Sequence, residues 1–229
     1  DIPLHKGANP GEDPRSDAAR FLVQTICANP GQITLMGIGS LTNIYGAWML
    51  DNTVFEQVKE IIIMGGYTAP VFYHTRHLEE LNFSVNAQAA ACVLRNGRNI
   101  SILTGNNTLE PSYLPKEEFM EKLCSGGQAG RYIAETCGYR FDQKALRDGA
   151  AASYCWDVVA SVYALHPELY QDAPTHCFVT ENTLRSGWLG VTRQAPDTCL
   201  MNLPQVRDLA AYRREMYDGW LSFRKGDAK

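Results

Sequence analysis

The chain has 229 residues, of which 45% are hydrophobic and 20% are charged, and its formal net charge is −4 at pH 7. This balance is typical of a globular protein and excludes collagen-like, low-complexity and largely disordered chains. Lys and Arg form no run longer than two, and no apolar run approaches the roughly 20 residues that a membrane span requires. We therefore expect neither a nucleic-acid partner nor a membrane partner.

Helices and apolar strands alternate in the first half of the chain. Apolar residues at helical spacing follow Ser16 and Asp17, which can cap a helix, and Asn86 can cap another that ends at Gly97. Compact apolar runs that end in glycine predict buried strands. In chain order, we expect a helix at 13–29, a strand at 33–38, a helix at 40–50, a strand at 59–64, a loop at 67–79, a helix at 87–96 and a strand at 99–104.

The second half of the chain is more helical. We expect helices at 116–123, 128–136, 150–165 and 205–221, a strand at 177–181 and a loop at 139–148. Strands that are apolar throughout and alternate with helices belong to a parallel sheet covered on both faces. The sequence therefore predicts the α/β class, with a mostly parallel sheet and helices on both faces, in a single domain over residues 1–229.

Seven cysteines are scattered through apolar segments, and none forms a C-x-x-C pair. This spacing disfavours a zinc site, and the odd number excludes a complete disulfide framework. We therefore expect free, buried thiols and a cytoplasmic location.

Glycine and small polar residues follow each of the three predicted strands in the first half, at 39–43, 64–66 and 105–108. Glycine allows the backbone to approach a ligand, and the polar residues supply hydrogen bonds. Because ligands bind outside the carboxyl ends of parallel strands, the repetition favours a shared pocket. Ordinary tight turns between strand and helix remain the alternative for each segment.

Three further polar residues are candidates for the same rim. Glu80 and Asn82 lie two apart, so in extended backbone they face the same side and suit vicinal hydroxyls such as those of a ribose. The alternative is an ordinary connection into the next helix. Asp157 opens an apolar helix beside Trp156, where it is either a metal ligand or a partner of the helix dipole.

Several motifs, in order, resemble those of the inosine-uridine-preferring nucleoside hydrolases. They are LMGIGSLTN at 35–43, VKEIIIMGG at 58–66, ELNFSVNAQAA at 80–90 and WDVVA at 156–160, followed by the segment from Val179 to Trp188. The resemblance covers nearly all of the chain. It implies a Rossmann-like core and hydrolysis of the N-glycosidic bond of ribonucleosides to ribose and free base.

The resemblance also implies roles for single residues around a calcium ion that holds the attacking water and the ribose hydroxyls. Asp157 matches a calcium-ligating Asp, and Ile38 matches the position whose backbone carbonyl completes the metal shell. Glu80 and Asn82 match residues that bind ribose hydroxyls, and Met64 matches the methionine under the sugar.

Two further residues, His74 and Trp156, are candidate catalytic groups. His74 falls where the family holds the 5′-hydroxyl with an Asn, and it either serves that hydroxyl, protonates the base or is a solvated loop residue. Trp156 stands where many members have a histidine that protonates the leaving base. It either stacks on the nucleobase or is a core aromatic.

One departure from the family bears on activity. The family opens with an Asp-rich strand end, DxDxxxDD, that supplies most calcium ligands and the general base, and the chain has no such motif; residues 1–8 resemble the family's third strand instead. We expect a chain that is N-terminally incomplete relative to the family, with weak or absent calcium binding on its own. We also expect homo-oligomers or association with the missing segment. The alternative function is a catalytically incompetent protein, or a fragment, that binds a nucleoside or another polyol.

Overall fold

The computed structural model describes residues 2–9, 11–73, 76–149, 151–193 and 196–222. Its helices are α1 (Asp17–Ala28), α2 (Thr42–Leu50), α3 (Val54–Gln57), α4 (Ala87–Asn96), α5 (Gly105–Ser112), α6 (Lys116–Cys124), α7 (Gly127–Cys137), α8 (Tyr139–Asp148), α9 (Trp156–Leu165), α10 (Glu181–Leu184) and α11 (Leu209–Ser222). Its strands are β1 (Thr34–Gly37), β2 (Glu60–Met64), β3 (Phe72–Tyr73), β4 (Arg76–His77), β5 (Ile100–Leu103), β6 (Tyr113–Pro115), β7 (Ala152–Tyr154), β8 (Tyr170–Gln171), β9 (Pro174–Phe178), β10 (Gly190–Thr192), β11 (Cys199–Asn202) and β12 (Gln205–Val206).

The chain forms two compact units. The sheet unit contains the described residues of Ile2–Asn107 and Gln171–Gln205, and the helical unit contains those of Thr108–Tyr170 and of 206–222. That the two act as a single domain stays a prediction. Among the helices of the described ranges, none has the length and apolar character needed to cross a membrane.

A six-stranded sheet of order β1-β2-β5-β11-β9-β10 forms the centre of the sheet unit. β1, β2, β5 and β11 are parallel to one another, whereas β9 runs antiparallel to its neighbours β11 and β10. The α/β class with a mostly parallel sheet is thus confirmed. The three strands predicted in the first half are parallel neighbours, so their carboxyl ends lie along one edge of the sheet, as predicted.

Branched apolar side chains hold the sheet to its helices. Ile61 and Ile63 on β2 and Ile102 on β5 are fully buried in a cluster with Phe55 and Leu94, which come from α3 and α4. Burial of each such side chain contributes roughly 1.5–3 kcal/mol, so this cluster is a main source of stability for the sheet unit.

Local capping signals fix the helices that flank the first strands. The Ser16 hydroxyl accepts a hydrogen bond from the Ala19 N–H at 3.2 Å, and Asn86 Oδ1 accepts one from the Ala89 N–H at 3.0 Å. α4 ends immediately before Gly97. Each cap satisfies an otherwise unpaired N–H of the first turn, so both predicted capping residues are confirmed. The first helix nevertheless begins at Asp17 rather than at 13.

Three further predicted boundaries are wrong, because a strand pairing or a helix cap sets the end of the element at another residue. The helix predicted at 150–165 begins only at Trp156, because β7 pairs with β6. The strand predicted at 177–181 lies earlier, as β9, since Thr180 caps α10 through the Thr183 N–H. The closing helix begins at Leu209 rather than at 205, because Asp208 accepts a hydrogen bond from the N–H of Ala211.

Other segments have a different structure from the predicted one. The predicted loop at 139–148 is the helix α8, and the predicted loop at 67–79 contains the antiparallel pair β3–β4. The glycine-rich turn after β5 is the first part of α5. The cysteines carry free thiols, as predicted, but their predicted burial is wrong for most of them. Cys177 is buried, whereas Cys27 and Cys124 are exposed because they lie on the outer faces of α1 and α6.

Candidate functional site

The candidate site of the sheet unit lies where β1 and β2 end. The parallel register aligns Gly37 with Ile63, so Ile38, the residue after β1, lies beside Met64 at the end of β2. The side chain of Ile38 is 45% exposed. Because open parallel sheets bind ligands outside these ends, this edge is where a ligand is expected to bind.

The structure brings Asn82 to the end of β2. Its Nδ2 donates a hydrogen bond to the Met64 carbonyl at 2.8 Å and lies 3.3 Å from the Met64 Sδ. Among the described residues, the Asn82 Oδ1 has no hydrogen-bond partner. A carboxamide that is held through its nitrogen and open at its oxygen can accept a hydrogen bond from a ligand hydroxyl.

Glu80 is buried in the same turn, with 8% exposure. Its carboxylate accepts hydrogen bonds from the backbone N–H groups of Gly66 (3.3 Å), Asn82 (2.8 Å), Phe83 (3.0 Å to each oxygen) and Ser84 (3.1 Å). A carboxylate offers about four lone-pair sites, and these amides occupy them. Glu80 thus fastens the turn that follows it to the end of β2.

Two glycines allow this close packing. Gly187 has φ +73°, and a Cβ there would lie 2.4 Å from Glu80 Cβ. Gly66 has φ +75°, and its Cβ would lie 2.7 Å from side-chain atoms of Leu189 and Phe83. Only glycine satisfies both the backbone conformation and the space at these positions.

The backbone of Tyr67, the residue after Gly66, is hydrogen-bonded to the segment that contains Gly187. Its N–H donates to the Gly187 carbonyl at 2.8 Å, and its carbonyl accepts from the Leu189 N–H at 2.7 Å. Burial raises the pKa of the Tyr67 hydroxyl, and the charges of Glu80 and Glu79 raise it further. The phenol therefore stays neutral and donates to the Leu78 carbonyl at 2.6 Å.

The polar residues after β1 and β5 serve the local architecture. Asn106 Oδ1 accepts hydrogen bonds from the N–H groups of Thr68 (2.8 Å) and Ala69 (3.2 Å). Asn43 Oδ1 accepts one from the Ala8 N–H at 3.0 Å. For these two residues the geometry favours the alternative of structured turns.

In the helical unit, Asp157 lies in the first turn of α9 with an exposed side chain. Within the described part of the chain, its carboxylate has no hydrogen-bond or ion-pair partner. Neighbouring protein atoms nevertheless desolvate the carboxyl and raise its pKa above the ordinary Asp value. An unpaired carboxylate of this kind is available to a ligand.

Trp156 stacks on Tyr154 at a centroid distance of 4.8 Å and an interplanar angle of 19°. The Tyr154 ring also contacts Tyr113 at 5.5 Å. One face of the Trp156 indole is therefore engaged by the protein. His74 lies outside the described residues.

The donor set for calcium does not fit the ion. Over the described ranges, no group of three or more His, Cys, Asp or Glu side chains is placed to hold a metal. Calcium takes six to eight oxygen ligands, and the carboxylate of Glu80 already accepts backbone hydrogen bonds.

Sequence reasoning singled out Met64, Glu80 and Asn82 but missed what joins them. Neither the role of Gly187 nor that of Tyr67 is predicted, because the contacts of Gly187 with Glu80 and Tyr67 cross more than 100 positions of the chain. The positive φ of Gly187 leaves no local signal other than the glycine itself.

The sequence matches the family described as "Inosine-uridine preferring nucleoside hydrolase" over residues 4–210. The probable uridine nucleosidase 2 of Oryza sativa subsp. japonica is 28% identical over 153 residues, which are 67% of this chain and 45% of that protein. The pyrimidine-specific ribonucleoside hydrolase RihB of Escherichia coli is 25% identical over 156 residues, 66% of this chain and 47% of that protein. The chain spans about half the length of these curated relatives.

Solved structures share the fold. A plant nucleoside hydrolase, PpNRh1, superposes with a TM-score of 0.78 at 20% identity and covers 96% of this chain and 71% of its own. The purine-preferring ribonucleoside hydrolase from Gardnerella vaginalis gives a TM-score of 0.77 at 17% identity, with coverages of 97% and 70%.

Proposed function

Because the chain belongs to the inosine-uridine preferring nucleoside hydrolase family, we propose that it hydrolyses the N-glycosidic bond of ribonucleosides to ribose and free base. In this reaction the water oxygen bonds to C1′, the C1′–N bond breaks, and the base leaves with a proton. The family match over residues 4–210 carries the proposal. The open Asn82 Oδ1 beside Met64, at the end of a parallel strand, supports it.

The roles of the site residues follow from the same proposal. Asn82 and Glu80 form the part of the site that recognises ribose hydroxyls, with Met64 under the sugar. The unpaired carboxylate of Asp157 is a ligand-binding group. Trp156 faces the nucleobase.

His74 is proposed as a group for the 5′-hydroxyl or the base. The Ile38 carbonyl, together with Asp157, is proposed for the metal shell of a complete site. The substrate is a small nucleoside, and the protein acts in the cytoplasm as a homo-oligomer or together with an Asp-rich segment.

We further propose that these 229 residues alone bind calcium weakly and hydrolyse nucleosides slowly. Tight calcium sites need several carboxylates, and Asp157 is the one that the matched positions supply without a protein partner. Calorimetric calcium titration tests this on the chain alone and on the chain joined to the Asp-rich segment of a complete family member. Micromolar binding and turnover by the chain alone would contradict it.

A reducing-sugar assay on uridine, cytidine and inosine tests the activity with both proteins. We expect ribose release by the joined form, reduced about tenfold or more by Asn82→Ala, since a ligand hydrogen bond is lost. Asn96→Ala is the matched control, because Asn96 is exposed at the end of α4. Equal rates of ribose release in Asn82→Ala and Asn96→Ala would show that Asn82 does not bind the substrate.

The second candidate is a protein that binds a nucleoside or polyol without cleaving it. This candidate is favoured because the described residues contain no group of three or more His, Cys, Asp or Glu side chains that could hold a metal. Uridine binding in calorimetry, with no ribose release by either form, would select it.

A further inference from the structure

Two cysteines lie directly opposite each other in the antiparallel part of the central sheet. The register pairs Cys199, the first residue of β11, with Cys177 on β9. Opposed residues of an antiparallel pair have Cα atoms roughly 4.5–5.5 Å apart and side chains on the same face of the sheet. A disulfide joins Cα atoms that lie roughly 4.4–6.8 Å apart. The backbone therefore already holds these two residues at the separation that a disulfide requires.

The two thiols differ in their access to solvent. Cys177 is fully buried in the apolar cluster of the sheet unit, whereas Cys199 is half-buried and packs against that cluster. Burial raises the pKa of the Cys177 thiol to about 11, and the neighbouring Cys199 acts in the same direction. A small reagent from solution therefore reaches Cys199 first.

Arg95 supplies a positive charge near Cys199. The Arg95 guanidinium donates two hydrogen bonds to the Val179 carbonyl, at 2.9 and 2.6 Å, just beyond the end of β9. Burial raises the pKa of the Cys199 thiol above its ordinary value, and the charge of Arg95 opposes this rise. The guanidinium thus favours the thiolate of Cys199, which is the form that attacks a disulfide.

We propose that Cys177 and Cys199 are a redox-active dithiol, which a small disulfide such as oxidised glutathione converts into a covalent bond between β9 and β11. The Cys199 thiolate attacks one sulfur of oxidised glutathione, and one glutathione thiolate leaves. The Cys177 thiol then loses its proton, and its sulfur attacks the Cys199 Sγ and displaces the second glutathione thiolate. Two protein thiols are oxidised and one small disulfide is reduced to two thiols. This site does not depend on the proposed hydrolysis.

Incubation of the whole chain with oxidised glutathione tests the proposal, with alkylation of the remaining thiols and mass spectrometry of the digested protein. We expect peptides linked through Cys177 and Cys199, which form at least about tenfold faster than any other linked pair, because the sheet holds these thiols together. Cys177→Ser and Cys199→Ser should each abolish the link. Cys155→Ser is the matched control, since Cys155 is also half-buried and shares a tryptic peptide with Cys177, and it should leave the link unchanged.

The same oxidation in concentrated urea tests the role of the register in the natural chain, and it decides the matter if a serine variant does not fold. Unfolding separates the two strands, so the preference for the bond between Cys177 and Cys199 should fall about tenfold or more. A reaction of the folded protein that stops at glutathione bound to Cys199 overturns the proposal. Faster linkage of another cysteine pair, or an equal preference in folded and unfolded protein, overturns it as well.

Discussion

Two acidic residues of this chain occupy opposite kinds of environment. In the sheet unit, the buried carboxylate of Glu80 accepts backbone hydrogen bonds from both sides of a turn. In the helical unit, the carboxylate of Asp157 has no partner among the described residues, although desolvation raises its pKa. The difference separates an acidic residue that stabilises the fold from one whose carboxylate has no partner among the described residues and is proposed to bind a ligand.

The largest expected effect is the loss of Glu80. Glu80→Ala leaves the N–H groups of Gly66, Phe83 and their neighbours without an acceptor, and we expect the free energy of unfolding to fall by about 3 kcal/mol or more. Urea denaturation measures the change. Glu79→Ala, at an exposed position, is the control and should change stability by less than about 0.5 kcal/mol. Equal losses of unfolding free energy in Glu80→Ala and Glu79→Ala would show that the Glu80 carboxylate does not stabilise the fold.

A smaller effect is expected from the glycine against which Glu80 packs. Gly187→Ala and Gly31→Ala start from nearly the same φ, +73° and +72°, but an added Cβ meets Glu80 in the first and nothing within 4 Å in the second. In each variant, alanine in this left-handed backbone conformation should lower the free energy of unfolding by about 1 kcal/mol. The clash with Glu80 should lower it by a further ~1–3 kcal/mol in Gly187→Ala. Thermal unfolding of both variants compares them, and an equal loss would mean that the contact with Glu80 carries no energy.

The smallest effect, with the opposite sign, is expected at Asp157. A folded-state pKa raised above the unfolded value means that stability is lost as the pH rises through it, so Asp157→Asn should unfold less readily at pH 7. Because the side chain is exposed, we expect a gain of only a few tenths of a kcal/mol, which disappears below the ordinary Asp pKa of 3.8.

Denaturation at pH 3 and pH 7 checks this gain. Asp17→Asn, in the first turn of α1, is the comparison and should lose about 0.3–1 kcal/mol at pH 7, because it gives up an interaction with the helix dipole. If Asp157→Asn instead lost about as much unfolding free energy as Asp17→Asn, Asp157 would be a partner of the helix dipole, as Asp17 is.

Local signals carried much of the fold. The caps at Ser16 and Asn86 and the glycine after α4 lie within a few positions of what they control, so the sequence alone predicted these helices. α8 is not predicted, because its many charged residues leave no clear apolar periodicity. α5 is not predicted, because a Gly-Asn-Asn start is typical of a turn. β11 has no strong local pattern and acquires its place by pairing with β5 and β9.

That the predicted residues form a substrate site stays a prediction, but the position of three of them in the fold can be compared with the sequence. Motif resemblance indicated Met64, Glu80 and Asn82, and the structure brings all three to the end of β2. The backbone bonds that occupy Glu80 depend on the conformation of the turn, which spacing does not encode. The approach of Gly187 depends on tertiary packing over a long separation.

The pairing of β5 with β11 has a consequence for the order of folding. The register joins Ser101 to Asn202, so closing the central sheet requires a loop of about a hundred residues, and the loop contains much of the helical unit. During synthesis, the apolar β5 remains an unpaired edge until the chain beyond residue 199 has left the ribosome. Such high contact order slows folding, and a nascent or prematurely terminated chain exposes a strand that can pair with other molecules.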